Sequence, residues 1–300
     1  VEIGALVTAR STDFDLKQTD TPSDGVVTGY GVINDSLVYV YAQDASVLNG
    51  SIGEMHAKKI CNLYDMAMKM GAPVIGLIDS CGLRLQEATD ALNAVGELYM
   101  KQTLASGVVP QITAIFGSCG GGLAIVPSLS DFTFMESEKA KLFVNSPNTL
   151  DGNSTEKCDT ASAKFQSEES GIVDFTGSES EIFAEIRELV SFLPANNEEE
   201  AELVDCTDDL NRASAAIGTS YKDAALAFSD LADDYNFIEV KSAYAKDMVV
   251  GFIKLNGNTI GCVGNRSVVY GEDGKEAEKF EDKLTARGCV KAAEFINFCD

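Results

Sequence analysis

The strongest constraint on this chain is that part of it occurs twice. VVTGYGVINDSLVYV (26–40) and VVGFIKLNGNTIGCV (249–263) share one pattern, which sets Val27 on Val249, Gly29 on Gly251 and Asn34 on Asn256. The first copy reads as a hairpin, two alternating apolar runs around Asn34-Asp35, a pair suited to a tight turn with positive φ. An amphipathic helix follows each copy, Met55–Met70 and then Gly288–Cys299, and the second copy carries an extra charged loop, Gly271–Lys283. In copy one the next elements are a strand and two glycine turns, whereas copy two stops at Asp300 before any of them. The repeat predicts one complete unit and the opening of a second.

Within the complete unit, strand and helix patterns alternate. Helix Ser51–Met70 sets Ile60, Leu63, Met66, Ala67 and Met70 on one face. Gly71-Ala72-Pro73 ends it before strand Val74–Asp79. Helix Gln86–Ser106 leads to strand Gln111–Phe116, then a glycine turn, an apolar segment Leu123–Leu129 read as a helix, and short strands 132–136 and 141–145. Such alternation predicts an α/β fold with a mostly parallel sheet. Val1–Ser23 reads as a polar arm and Ser146–Gly177 as a polar stretch. Glu179–Phe192 reads as a helix, Ala195–Asp209 as an acidic linker and Ala224–Tyr235 as a short helix.

The chemistry is expected where two strands end in glycine. One runs into Asp79-Ser80-Cys81-Gly82-Leu83-Arg84-Leu85-Gln86-Glu87, the other into Gly117-Ser118-Cys119-Gly120-Gly121-Gly122. Glycines let a ligand approach the main chain and leave N–H donors unpaired at a helix start, which suits a group that becomes an oxyanion. The alternative is that they only permit helix to pack closely on sheet. Two such turns at the ends of parallel strands favour a shared crevice.

Charge narrows the partners. A net charge of −24 makes nucleic acid and anionic membrane poor ones. Eight cysteines without a C-x-x-C pair, and a single histidine, give no zinc set and fit a reduced, cytoplasmic chain. No apolar run reaches about 18 residues. The N-terminus lacks a signal-peptide pattern and an initiator Met, so the chain reads as trimmed or processed. Arg84 reads either as a phosphate ligand or as a partner of Glu87, and Lys58 and Lys59 as phosphate ligands or solvated lysines. His56 reads as a structural hydrogen-bonder and Cys119 as small buried filler. Glu87 is the one acid near the turns placed for acid–base work.

DGVVTGYGVI (24–33), NGSIGEMHAKKI (49–60), GAPVIGLIDSCGLRLQE (71–87), SGVVPQITAIFGSCGGGLAIVPSLSDFTFM (106–135) and YAKDMVVGFIKLNGNTIGCVGN (244–265) together resemble the carboxyltransferase family of biotin-dependent acyl-CoA carboxylases and decarboxylases, along nearly the whole chain and in the family's order. The resemblance implies a crotonase-like (ClpP/crotonase) ββα spiral: an N-terminal domain over 1–195 on the acyl-CoA side, an acidic linker and helix over 196–235, and the beginning of a biotin-side domain over 236–300. It implies carboxyl transfer between biotin, borne on a partner carrier domain, and an acyl-CoA, with no metal in this chain. The thioester oxygen would be held by the N–H groups of Gly121 and Gly122 with Leu83 as partner, and the cofactor contacts would fall on Gly82, Gly120, Arg84, Lys58 and Lys59. The turn for the biotin oxygen would lie beyond Asp300. Implied partners are a biotin carboxyl carrier protein, biotin carboxylase or membrane decarboxylase subunits, and further copies of the chain in a trimer or hexamer.

Two departures from the family pattern stand out. Cys81 and Leu83 replace a glycine and a small residue, and the bulk of Leu83 is expected to narrow the acyl pocket. The stretch 160–175, TASAKFQSEESGIVDF, keeps Ser170 and Gly171 without the histidine many carboxylases carry there. Two other readings stay open: a crotonase-like hydratase, isomerase or hydrolase using Glu87, and an inactive core that binds acyl-CoA or partner subunits.

Overall fold

Short strand β1 (Glu2–Ile3) pairs antiparallel with β2 (Val26–Ile33), which turns into β3 (Ser36–Gln43). Asn34 and Asp35 at the turn have φ of 47° and 68°, the combination whose twist matches that of a hairpin. Then come α1 (Glu54–Met70), β4 (Val74–Ser80), α2 (Ala88–Ala105) and β5 (Gln111–Gly120). After them follow α3 (Ile125–Ser128), β6 (Phe132–Glu136) and β7 (Lys141–Phe143). α1 starts after Ser51 because Ile52 is already committed to a bridge with Leu83. A computed structural model describes residues 1–9, 20–145, 159–200, 203–209, 211–214, 218, 222–271, 274–281 and 283–300. Parts of the polar arm, of the 146–177 stretch, of the acidic linker and of the charged loop therefore lie outside the described residues.

β3, β4, β5 and β6 run parallel, as the alternation predicts. Two expectations need correction. First, β5 does not stop at Phe116. It pairs with β6 as far as Ile115 and then with β7 from Ser118 to Gly120. Its register against β4 jumps in between, since Ile78 faces Ile115 but Ser80 faces Cys119. This bulge redirects the strand from one partner to the next, and Gly117 permits it, because a β-carbon there would overlap the Asp79 carboxylate. Second, the expected helix at Leu123–Leu129 forms without a break, but it is not α-helical throughout. It is one tight turn, Gly121–Ala124, followed by the single turn of α3. The Asp131 N–H donates to the Gln111 carbonyl (2.9 Å) and its carboxylate accepts the Gln111 N–H (2.7 Å), which draws the chain back into the sheet. So short a helix brings little dipole, and any anion here must rely on individual N–H groups.

Further along lie α4 (Ala163–Phe165), β8 (Phe175–Gly177) beside β6, and α5 (Glu179–Val190), opened by a Ser178–Glu181 capping box. α6 (Ala224–Leu231) precedes β9 (Phe237–Val240), β10 (Met248–Leu255) and β11 (Asn258–Asn265). Strands β12 (Val268–Tyr270) and β13 (Glu276–Lys279) form a ribbon before α7 (Ala286–Cys299). The β10–β11 turn repeats the first hairpin, with φ of 50° at Asn256 and 77° at Gly257.

Alternate residues of the main sheet feed two cores. Tyr39, Tyr41, Val74, Ile78 and Ile115 pack with α1 and α2. Val38, Ile75, Ile112 and Phe132 pack on the other face with α5, Val250, Phe252 and Phe295. Phe132 stands 4.7 Å from the ring of Phe298 and 6.1 Å from that of Phe252. With about 1.5–3 kcal/mol for each buried large side chain, the second hairpin and α7 share a core with the sheet rather than merely touching it.

Candidate active site

β4 and β5 are neighbours, so their C-terminal ends bring both glycine segments to one edge of the sheet. The segments touch. A β-carbon on Gly82 would stand 2.6 Å from the Gly120 carbonyl oxygen, and one on Gly120 would stand 3.2 Å from the Cys81 carbonyl oxygen. Gly82 has φ of 104°, a conformation that side chains disfavour.

Leu83 is pinned on both sides. The Ile52 N–H donates to the Gly82 carbonyl (2.8 Å) and the Arg84 N–H to the Ile52 carbonyl (2.9 Å). In extended chain successive N–H groups alternate in direction, so that of Leu83 faces away from Ile52, and among the described residues no acceptor takes it. Its side chain is half-buried against the core of α1 and α2.

On the second segment Gly121 has φ of 65°, with no atom within 4 Å of where a β-carbon would stand. The first N–H groups of a helical turn have no intrahelical acceptor. That of Gly121 is nevertheless taken, because the parallel register setting Gly120 beside Phe143 directs it onto the Phe143 carbonyl, while among the described residues no acceptor takes that of Gly122. The Gly122 carbonyl, by contrast, accepts both the Tyr99 hydroxyl (2.5 Å) and the Ile125 N–H. Two touching segments thus carry two unpaired amides, those of Leu83 and Gly122, and Gly121, expected as a further donor, is spent on the ladder instead. Donors of this kind, aimed at developing negative charge, are worth about 2.7–4 kcal/mol each in a comparable site.

The expected cation contacts fall differently. Arg84 is 2% exposed and is held by Asp24 (2.6 Å), Glu87 (2.8 Å) and the Ser51 carbonyl (2.8 Å). Its guanidinium is a buried brace, not a phosphate ligand, and the pairing with Glu87 is the reading that survives. Glu87 also accepts the Glu54 N–H at the start of α1 (2.6 Å), so both its oxygens are engaged in holding the turn. The ammonium of Lys59 is likewise spent, on the Ser23 carbonyl (2.8 Å), the Ser23 hydroxyl (2.9 Å) and the Val26 carbonyl. Lys58 is half-exposed and paired with Glu54 one turn earlier.

His56 is fully buried: its N–H donates to Asp24 Oδ2 (2.8 Å), and its ring nitrogens lie 2.9 Å from the Asp24 carbonyl and 3.1 Å from Gln43. Burial, with the nearby Arg84 charge, lowers its pKa to about 3, so it is neutral and structural. Cys119 is buried and its thiol is pushed well up by desolvation, the state of an inert filler. Among the described residues no group of three or more His, Cys, Asp or Glu converges as a metal cluster, and no helix is long and apolar enough to cross a membrane. Asp24, Ser51 and Tyr99 are parts of the site that sequence patterns did not flag. Asp24 stands in a quoted motif as an acid before a glycine, the one signal that pointed to it.

A cavity of about 620 Å³ lies elsewhere, where the sheet meets α7, with Asp131, Asp174, Lys241 and Lys291 among its walls. It includes neither glycine segment.

Residues 1–300 match the family described as the carboxyl transferase domain. The propionyl-CoA carboxylase beta chain of Roseobacter denitrificans is 38% identical, aligned over all of this chain and 59% of its own length. The methylmalonyl-CoA decarboxylase subunit alpha of Propionigenium modestum is 37% identical, over all of this chain and 58% of its own. Among solved structures, a transcarboxylase 12S with methylmalonyl-coenzyme A and methylmalonic acid bound superposes with a TM-score of 0.89 at 32% identity, covering 100% of this chain and 58% of that one. The chain thus spans rather less than two thirds of the relatives it matches. The α/β fold is of the crotonase-like type expected.

Proposed function

The chain belongs to the carboxyl transferase domain family, and on that premise we propose that it supplies the acyl-CoA half of a site moving a carboxyl group between biotin and an acyl-CoA. When a carboxyl group leaves the α-carbon, the electrons of the broken bond pass onto the thioester oxygen, and the reverse reaction starts from the same enolate. The amides of Leu83 and Gly122 are the groups we assign to that oxygen, with Gly82 and Gly120 keeping the two segments in contact and the Gly121 amide tying the second segment to the sheet. Biotin on a carrier protein supplies or receives the carboxyl group, and we assign none of the described residues to it. Propionyl-CoA and its carboxylated form, methylmalonyl-CoA, are the proposed substrate pair, in keeping with the names of the relatives. Residues 1–195 are read as the acyl-CoA domain, 196–235 as the linker and 236–300 as the beginning of the biotin-side domain.

The observation that carries this reading is the contact between two glycine segments bearing two unpaired amides. Engagement of both Glu87 oxygens in the brace speaks against the acid–base alternative. A cytoplasmic setting, a biotin carboxylase or membrane decarboxylase partner, and a trimeric or hexameric assembly belong to the same proposal. The test is decarboxylation of malonyl-CoA and methylmalonyl-CoA by the complete protein, with and without free biotin. Loss of CO₂ that requires biotin is the expected result, and turnover indifferent to biotin would overturn it.

A further inference from the structure

Glycine pairs make a permissive anion site and a loose one. With no side chain on Gly121 or Gly122, the peptide between them, which carries the Gly122 N–H, is aimed by what holds its two flanks: the Gly121 N–H before it sits on the Phe143 carbonyl, and the Gly122 carbonyl after it needs an anchor of its own. The structure holds one such anchor from outside the turn. Tyr99, in the middle of α2, donates its hydroxyl to the Gly122 carbonyl at 2.5 Å, and a β-carbon on Gly122 would lie 2.8 Å from the same hydroxyl. The ring is half-buried against the core of α1 and α2, and the Tyr99 carbonyl accepts the Thr103 hydroxyl (2.8 Å). The hydroxyl is thus presented from a fixed base. The start of α2 directly follows the turn that carries Leu83 and Arg84. One rigid helix therefore reaches both segments: through its N-terminus the Leu83 amide, through Tyr99 the Gly121–Gly122 turn.

We propose that Tyr99 is a positioning residue for the carboxyl-transfer site, its hydroxyl holding the Gly122 carbonyl so that the Gly122 amide just before it converges on the same point as the amide of Leu83. This rests on the reading of those amides as the thioester oxyanion site. Tyr99 touches neither substrate nor reacting atoms in this scheme, and its whole effect passes through the Gly122 carbonyl.

Two ligands separate alignment from general integrity: propionyl-CoA, whose thioester is neutral, and a nitroalkyl coenzyme A analogue ionised to its nitronate, which carries charge where the enolate oxygen would be. Binding of each is measured by calorimetry on the complete protein and on Tyr99→Phe, alongside kcat and KM for decarboxylation. Removing one hydrogen bond should weaken the nitronate by about five- to tenfold and propionyl-CoA by less than about twofold. It should lower kcat by the same factor as the nitronate, with KM and the melting temperature little changed. Equal weakening of both ligands, or no change in either, overturns the proposal. Should the unmodified protein fail to prefer the nitronate, the oxyanion reading falls and this proposal with it.

Discussion

Gly82 and Gly120 meet backbone to backbone, with no room for a side chain between them: a β-carbon on Gly82 would stand 2.6 Å from the Gly120 carbonyl oxygen. The contact joins the ends of two parallel strands and sets the distance between the Leu83 amide and that of Gly122. Gly82→Ala meets that carbonyl and also forces a side chain into φ of 104°. We expect a loss of about 1–3 kcal/mol in stability, read from urea unfolding. Acyl-CoA binding should fall more than stability alone explains, because the two segments must part.

Arg84 braces the same turn from beneath. Its ion pair with Asp24 is sealed from solvent, the two side chains being 2% and 0% exposed. Arg84→Met leaves the Asp24 and Glu87 carboxylates buried without their cation, which costs about 3–5 kcal/mol. Pairing it with Asp24→Leu should restore part of that loss in equilibrium unfolding, since the unpaired charge is then gone.

His56 is the sole histidine, so its ring signals are unambiguous by NMR. Its pKa is lowered from 6.5 to about 3 in the folded chain, so the imidazole should not titrate between pH 5 and 8. The folded state binds this proton less well than the unfolded one. Its contribution is therefore present above about pH 6.5 and lost as pH falls toward 3, by up to about 1.4 kcal/mol per pH unit.

Asp174 carries the opposite sign. Burial raises its carboxyl from 3.8 to about 7, and Oδ1 accepts no hydrogen bond, with Lys241 at 3.9 Å. Ionisation thus costs stability that is intact below about pH 4, eroded between pH 4 and 7 and fully lost above. Asp174→Asn should melt at a higher temperature than the parent at pH 8, by at most about 4 kcal/mol in stability, and show little gain at pH 4.

Much of this was legible in the residues. The hairpin at Asn34-Asp35, its echo at Asn256-Gly257 and the parallel alternation through residue 136 follow from periodicity and turn chemistry, which are local. The glycine segments were visible as sites of close approach. The bend of β5 was not, because it depends on Asp79 sitting over Gly117 and on β7 arriving from 20 residues further along. Nor were the fates of Arg84 and Lys59. A cation beside a glycine turn looks alike in sequence whether it faces a phosphate or a buried acid, and only the fold brings Asp24 or Ser23 within reach. Tyr99 falls within the helix expected over Gln86–Ser106 and nothing in the sequence marks it, since its hydroxyl has a purpose only once α2 lies against the second turn.

The central claim is that the amides of Leu83 and Gly122 polarise a thioester oxygen. The infrared stretch of a ¹³C-labelled thioester carbonyl in bound acyl-CoA reports this directly. We predict a band well below its position in water, moving back toward that position in Gly122→Val. A bound carbonyl that absorbs at or above its frequency in water would contradict the account.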